Sequence, residues 1–501
     1  MTTAAAPDLK YYTEKRKSLH FATKAYIDGK FVDSVSGKTF ASISPIDGKP
    51  IANVAECDAA DVDKAVAAAR KTFDKGTWRK MAPAARKAAM LKWADLMEKN
   101  MSDLALTDTI DMGKPINDAM KIDLPGTITC FRWYAEAIDK LYDEICPSDP
   151  GRVVMVMREP LGVVGAVVPW NFPLMMTAWK IAPAIIAGNS VVLKPAEQSP
   201  LSALRLAELA AEAGIPEGVF NVLPGFGPTA GQALGRHKDV DCIAFTGSSE
   251  VGKYFLKYSA ESNMKSVNLE CGGKSPHIIM ADAPNLDAAA TAAAWAVFFN
   301  QGEVCNAGTR LLVEESVKDK VLEKIVSVAK AVKVGNPLDP TTQMGAIVDD
   351  TQLDRVLGYI DAGKKGGAKL VTGGDRVSAD SGGYYVAPTV FDKVDNSMKI
   401  AQEEIFGPVL STISFKDTDA AIQIANDTVY GLYAAVWTKD INKAFKVVRG
   451  VRAGAVNVNT YSGGDISTPF GGFKQSGFGR DKSLHALEKY TALKASCIVL
   501  S

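Results

Sequence analysis

From Gly162 onward, apolar and polar positions follow one rhythm. A short, wholly apolar run is followed by a break, then by a longer stretch with apolar residues three and four apart. Gly165–Val168, Ser190–Leu193, Val219–Leu223 and Cys242–Phe245 are the short runs. Each is too short for a helix, so each predicts a strand buried on both faces. Helices are predicted after Phe172, from Ser199-Pro200, after Gly225-Phe226-Gly227 and after Thr246-Gly247-Ser248-Ser249. Strand-then-helix units in series imply a parallel sheet with helices on both faces. The rhythm returns from about Asn285, with a helix, a strand at Leu311-Leu312-Val313, a helix from Ser316 and further units through Gly454. The predicted fold class is α/β, with two doubly wound parallel-sheet domains in sequence.

The first third of the chain reads differently. Tyr26–Val32 carries an Asp28-Gly29 hairpin signal. Asp58–Arg70, Pro83–Asn100 and Arg132–Tyr142 have helical spacing. Cys146–Gly151 breaks the pattern, and Val153–Met157 predicts an isolated strand. Cys497–Leu500 is another short apolar strand with no evident place in either sheet. Pro173–Leu193 is hydrophobic, but Lys180, Pro183, Gly188 and Asn189 make it a buried helix rather than a membrane span.

A chain of 501 residues exceeds what one core usually holds. Lys+Arg and Asp+Glu both number 57, which argues against a nucleic-acid or anionic-membrane partner. The cysteines, 7 in all, lie at 57, 130, 146, 242, 271, 305 and 497. None has metal-ligand spacing, and with 4 histidines no metal site is expected. The cysteine usage fits a reduced, cytoplasmic compartment. Met1–Lys17 lacks the apolar core of a secretory signal.

The candidate chemistry centres on Asn300–Arg310, where Cys305 stands alone in a glycine-bounded turn between an alanine-rich helix and a strand. Backbone N–H groups in such a turn can lower a thiol pKa and receive an oxyanion. Taken alone, a free cysteine is more often a small buried hydrophobe. Asn171, in Pro169–Pro173, follows a strand and offers a neutral amide donor. Lys194 and Glu197 follow the next strand and could hold ribose hydroxyls. A Glu197 carboxylate would accept from a 2′-hydroxyl and repel a 2′-phosphate. Gly225–Gly231 misses the dinucleotide fingerprint by one residue and reads as a helix-opening loop. Phe245–Ser248 is the better pyrophosphate turn. Glu270, between an apolar strand and Gly272-Gly273, could be a general base with a raised pKa. Each of these also has an ordinary reading as a turn residue, a helix-start acid or half of a salt bridge.

Pro169–Pro173, Lys194–Glu197, Phe245–Ser248, Leu269–Gly273, Gly302–Arg310, Glu403–Pro408 and Pro469–Gly472 stand in the order found in the aldehyde dehydrogenase superfamily. The resemblance covers nearly the whole chain. It implies a Rossmann-like NAD domain in two parts (1–140 and 160–270), a catalytic domain (271–482) and an oligomerisation hairpin (141–159 and 483–501) of a homotetramer. It implies Cys305 as nucleophile, Glu270 as general base, and Asn171 with the Cys305 N–H as oxyanion hole. Lys194 and Glu197 would hold the adenosine ribose of NAD, with NADP weaker. Trp170, Gly247 and Ser248 would line the dinucleotide, and Glu404 with Phe406 the nicotinamide ribose. Two departures are Cys271, where a leucine is more usual, and Val304 and Asn306 beside the nucleophile.

Within that superfamily, the segments Ile122–Gly126, Arg132–Lys140 and Gly471–His485 resemble the polyamine-catabolic branch, whose substrates are γ-glutamylamino-, guanidino- and related amino-aldehydes. By family position, Phe172, Trp179 and Phe470 would wall the aldehyde tunnel, with Asp123 and Asp465 meeting a cationic substrate end. Gly126 and Gly464 would leave that tunnel wide. The alternatives are a broad-range aliphatic aldehyde dehydrogenase, an acylating enzyme that passes its thioester to coenzyme A, and a non-catalytic binding or structural relative. An intact Cys305, Asn171 and Glu270 speak against the last two.

Overall fold

The computed structural model describes residues 7–500. Residues 1–6, which open the stretch expected to lack a leader, and residue 501 of the expected tail lie outside the described residues. Among the described residues, no helix is long and apolar enough to cross a membrane. Nor does any group of three or more His, Cys, Asp or Glu side chains there suit a metal ion.

The first sheet has 8 strands, in the order Lys30–Val32, Ala25–Ile27, Phe220–Val222, Ser190–Lys194, Val163–Val167, Cys242–Thr246, Ser266–Glu270, Gly477–Phe478. The strands from Phe220–Val222 to Ser266–Glu270 run parallel, and both edges are antiparallel. The first edge is the Asp-Gly hairpin, with φ of 49° at Asp28 and 78° at Gly29, the signs a two-residue hairpin turn requires. Asp58 caps the helix Ala59–Lys75 through a reciprocal box with Asp61. That helix covers one face, through Val62, Val66 and Ala69 against Val163, Val192 and Ile243. Pro83–Lys99, Pro173–Ile186 and Leu201–Ala213 cover the other.

The helix expected at Arg132–Tyr142 is the second half of Leu124–Ala137. Pro125 cannot donate to the turn before it, and the chain there relaxes into a π-helical turn, Ala119–Asp123.

The second sheet has 7 strands, in the order Lys369–Thr372, Thr389–Asp392, Val409–Phe415, Arg310–Glu314, Pro276–Ile279, Tyr433–Trp437, Ala455–Val458. Only the edge strand Lys369–Thr372 is antiparallel. Leu286–Phe298 and Lys318–Ala331 pack on one face, and Asp350–Lys365, Thr418–Asn426 and Ile441–Gly450 on the other. The stretch 271–482 is not confined to this sheet. Gly477–Phe478 returns to the first sheet and pairs with Leu269 and Glu270. A strand of two residues, one of them glycine, gives no periodicity to read.

A third sheet stands apart: Glu144–Cys146, Arg152–Pro160 and Thr491–Val499, all antiparallel. Leu493 and Val499 lie on one face of its outer strand and are 62% and 71% exposed.

Candidate active site

The turn that carries Cys305 is built from left-handed backbone. After the helix Leu286–Phe298, φ is 49° at Asn300, 58° at Gln301 and 74° at Gly302. Side-chain-bearing residues adopt that conformation only at a cost, so the surroundings must hold it. Asn300 Nδ2 donates to the carbonyls of Asn171 and Glu303, both at 3.2 Å. The Gly345 N–H donates to Gln301 Oε1 at 3.1 Å. At Gly302 a β-carbon would lie 2.2 Å from the carbonyl of Gly407, so only glycine lets the 404–408 segment approach. On the other side, Tyr461 packs its ring on Gly308 and donates its hydroxyl to the Asn306 carbonyl at 2.5 Å. Cys305 remains half-exposed in this frame.

Asn171 and Glu270 reach this turn from the first sheet. Asn171, after the strand Val163–Val167, donates through Nδ2 to the Glu303 carbonyl at 2.8 Å. That bond fixes the amide and leaves its second N–H free for another acceptor. Glu270 ends the strand Ser266–Glu270. Both its carboxyl oxygens are buried without a hydrogen-bond partner. Burial, reinforced by the charge of Asp481 and opposed by Lys180, Lys489 and Arg480, pushes the Glu270 carboxyl up to about 8. Burial, Glu404 and Glu270 push the Cys305 thiol up to about 12, while backbone N–H groups of Asn306 and Cys305 pull the other way. A thiol in that state needs a base to take its proton.

Of the expected dinucleotide residues, Trp170, Lys194, Glu197, Gly247 and Ser248 stand at or after strand ends of the first sheet, and Glu404 and Phe406 precede the strand Val409–Phe415 of the second. Lys194 is buried and pairs with Glu197 at 3.0 Å. Gly247 follows Thr246, whose buried Oγ1 has no partner, and its N–H donates to the Glu270 carbonyl at 3.1 Å. Ser248 caps the helix Ser249–Ala260. Gly225–Gly231 opens a helix, as read, through a π-helical turn. Glu404 Oε1 accepts from the Gly273 N–H at 2.9 Å, and a β-carbon at Gly272 would lie 1.9 Å from Glu404 Oε2. Phe406, at φ 59°, meets Trp170 edge-on with ring centres 5.2 Å apart. A buried lysine paired with a half-buried carboxylate, an unpartnered hydroxyl and a capped helix start suit a dinucleotide.

A family model described as the aldehyde dehydrogenase family matches residues 31–496. The chain belongs to the aldehyde dehydrogenase family. Among solved structures, a γ-glutamyl-γ-aminobutyraldehyde dehydrogenase from Burkholderia cenocepacia is 57% identical, with TM-score 0.97 over 99% of this chain and 100% of that one. A P. syringae indole-3-acetaldehyde dehydrogenase, solved with NAD⁺ and IAA, is 55% identical, with TM-score 0.98 over 99% and 100%. The NADP/NAD-dependent aldehyde dehydrogenase PuuC of Escherichia coli is 49% identical over 98% of this chain and 99% of its own length. The protein is an NAD-dependent oxidoreductase acting on aldehydes.

For this aldehyde dehydrogenase the expected substrate residues fare unevenly. Asp123 is not a substrate contact. It is 1% exposed and ion-paired with the fully buried Lys114. The Lys114 ammonium also lies 4.1 Å from the centre of the Phe172 ring. Two buried charges remove each other from the solvent-facing pool, and Asp123 leaves the list of recognition residues. The width expected at two glycines is absent too. Met175 fills the space at Gly126, and Gly464, at φ 83°, closes a turn against Thr468. Trp179 and Phe470 do face each other, with ring centres 5.3 Å apart, and Asp465 is exposed.

The sequence reading missed the charges behind Glu270. Lys180 and Lys489 both ion-pair with Asp481, and none of the three is more than 5% exposed. The two lysines hold the Asp481 carboxyl below the usual carboxylate range against the pull of burial. A lysine in the apolar run Pro173–Leu193 was a signal that a counter-charge must exist, but its partner lies 301 residues away. Gln352 was also missed. Its amide donates to the carbonyls of Ile405 and Phe406, at 3.0 and 2.7 Å, and holds the left-handed Phe406.

Replacing Asp481 with Asn leaves two buried ammonium groups uncompensated. Breaking a buried pair this way costs roughly 3–5 kcal/mol. Chemical denaturation of Asp481→Asn should show an earlier midpoint, and an unchanged midpoint would contradict the buried cluster.

Proposed function

We propose that this enzyme oxidises an ω-amino-, γ-glutamylamino- or guanidino-aldehyde to its carboxylic acid through a covalent Cys305 thioester. The observation that carries the chemistry is the joining of Asn171 and Glu270, from one sheet, to the Cys305 turn of the other. The Cys305 sulfur attacks the aldehyde carbon, and Glu270 takes the thiol proton. The resulting oxyanion accepts from the Asn171 amide and the Cys305 N–H. NAD⁺, when bound, supplies the acceptor for the hydride that the tetrahedral carbon loses. Lys194 and Glu197 would hold its adenosine ribose, Trp170, Gly247 and Ser248 its pyrophosphate side, and Glu404 and Phe406 its nicotinamide ribose. The Glu197 carboxylate would disfavour a 2′-phosphate, so NAD should serve better than NADP. Glu270, once it has released the thiol proton to solvent, removes a proton from the water that hydrolyses the thioester. A glutamate suited to activating water speaks against the branch that hands the acyl group to coenzyme A.

The substrate class rests on likeness and on the site's outer edge. The relatives named above include both a γ-glutamylamino-aldehyde and an indole-aldehyde enzyme, so overall identity does not select the aldehyde. An exposed Asp465 near two half-buried aromatic rings favours a substrate with a charged nitrogen-bearing end over a plain aliphatic one. We further propose a homotetramer working in the cytoplasm. The apolar face of Thr491–Val499, exposed in the single chain, supports association.

Two measurements check this reading. Glu270 must be ionised to accept a proton, and its carboxyl titrates at about 8. The rate at saturating aldehyde and NAD should therefore fall with decreasing pH below about 8 and level off above it. Glu270→Gln should lose that limb, and a variant that keeps it would move the base elsewhere. The second measurement compares aldehydes of equal length. A charged amino end should lower KM relative to an uncharged one, and equal use of both would make a broad-range aliphatic enzyme the better description.

A further inference from the structure

Two neighbouring residues on the helix Pro173–Ile186 face two neighbouring residues after Gly479. The inner pair, Lys180 and Asp481, is buried and acts on Glu270. The outer pair is Trp179 and Lys482. The Lys482 ammonium lies 5.6 Å from the centre of the Trp179 ring, within cation–π range. Lys482 has φ 61° and Ser483 φ 51°, so this turn is held in an unfavourable backbone state. The Ser483 N–H donates to the Ile466 carbonyl at 2.7 Å, which ties the turn to the loop that carries Asp465. Asp465 commits Oδ1 to the backbone N–H and hydroxyl of Ser467, at 2.9 and 2.6 Å. The Lys482 and Asp465 charges lie close enough to act on each other.

The aromatic pair connects these charges to the reacting centre. Trp179 faces Phe470, and the next residue, Gly471, comes so close to Glu270 that a β-carbon there would lie 2.9 Å from its Oε1. A fixed ammonium and a fixed carboxylate beside two aromatic rings complement an end that itself carries both charges. A plain ammonium end would meet Lys482 as a like charge, and a plain carboxylate end would meet Asp465.

We infer that Lys482 and Asp465 are specificity residues that read a zwitterionic, α-amino-acid-like end of the aldehyde. The ammonium of Lys482 takes the substrate carboxylate and Asp465 takes the substrate ammonium. Trp179 and Phe470 flank the chain between that end and Cys305. This rests on the charged-end reading above and narrows it to the γ-glutamylamino type.

Four amides of 4-aminobutanal test it: the γ-glutamyl (zwitterion), glutaryl (anion), 4-aminobutanoyl (cation) and butanoyl (neutral) derivatives. The parent enzyme should show its lowest KM for the γ-glutamyl amide. Lys482→Gln should raise KM about tenfold for the γ-glutamyl and glutaryl amides, the size of one charge-assisted contact, with kcat kept. It should leave the butanoyl amide unchanged and lower KM for the 4-aminobutanoyl amide, which no longer meets a like charge, and Lys482→Arg should restore the parent pattern. Asp465→Asn should raise KM for the γ-glutamyl and 4-aminobutanoyl amides. An equal KM rise for all four with Lys482→Gln would show that the lysine only packs on Trp179 and would overturn the inference. So would a parent that uses the γ-glutamyl and 4-aminobutanoyl amides alike. That second result, with both still better than the neutral amide, would leave the charged-end reading standing. A parent that uses the neutral amide as well as the charged ones would end that reading too.

Discussion

The contact on which this site depends is backbone against backbone, at Gly302 and Gly407. A single methyl group at Gly302 would collide with the Gly407 carbonyl at 2.2 Å. Because it is absent, the Cys305 turn and the Glu404–Phe406 segment close on each other. The left-handed run Asn300-Gln301-Gly302 then turns Cys305 toward the strand ends of the first sheet. The strain of that run is offset by bonds to Asn171, Glu303 and Gly345. Asn171 belongs to the first sheet and its bonding partners to the second, so the same bonds that hold the turn also align the two halves of the site.

Behind that contact lies a second layer, made of buried charge. Glu270 has no hydrogen bond of its own and sits against Asp481, which is itself held between Lys180 and Lys489. An isolated carboxylate in this place would be driven neutral by desolvation. Two lysines on one aspartate leave net positive charge close by, which returns part of that cost. Glu270 is therefore left near 8, where a carboxyl can both hold and release a proton at physiological pH.

The fold and the candidate-site motifs were legible because their signals are local. Apolar runs of strand length, helical spacing and the Asp28-Gly29 turn each act over a few residues. Cys305, Asn171 and Glu270 lie in motifs that name themselves in series. What could not be read is what side chains far apart in the chain do to each other. Lys180 announced that it needed a partner, but nothing near it said Asp481. Asp123 was read as a substrate contact because nothing in the sequence showed that Lys114, 9 residues earlier and just before Pro115, would turn inward to pair with it. Gly126 and Gly464 looked like open space, but a glycine marks missing bulk and a backbone need equally. One is filled by Met175 and the other makes a turn against Thr468. The two-residue strand at Gly477 was too short to carry any pattern.

The central claim is that Cys305 carries the acyl group and that Glu270 is needed to release it. The most direct measurement is peptide mass spectrometry of Glu270→Gln after mixing with NAD⁺ and a γ-glutamylamino aldehyde, alongside the absorbance of the reduced cofactor. The account predicts that reduced cofactor forms more slowly than in the parent, because the thiol must lose its proton without Glu270, and stops at about one equivalent per active site, with the acyl mass on the Cys305 peptide. Steady turnover near the parent rate, or an acyl group on any other residue, would contradict it.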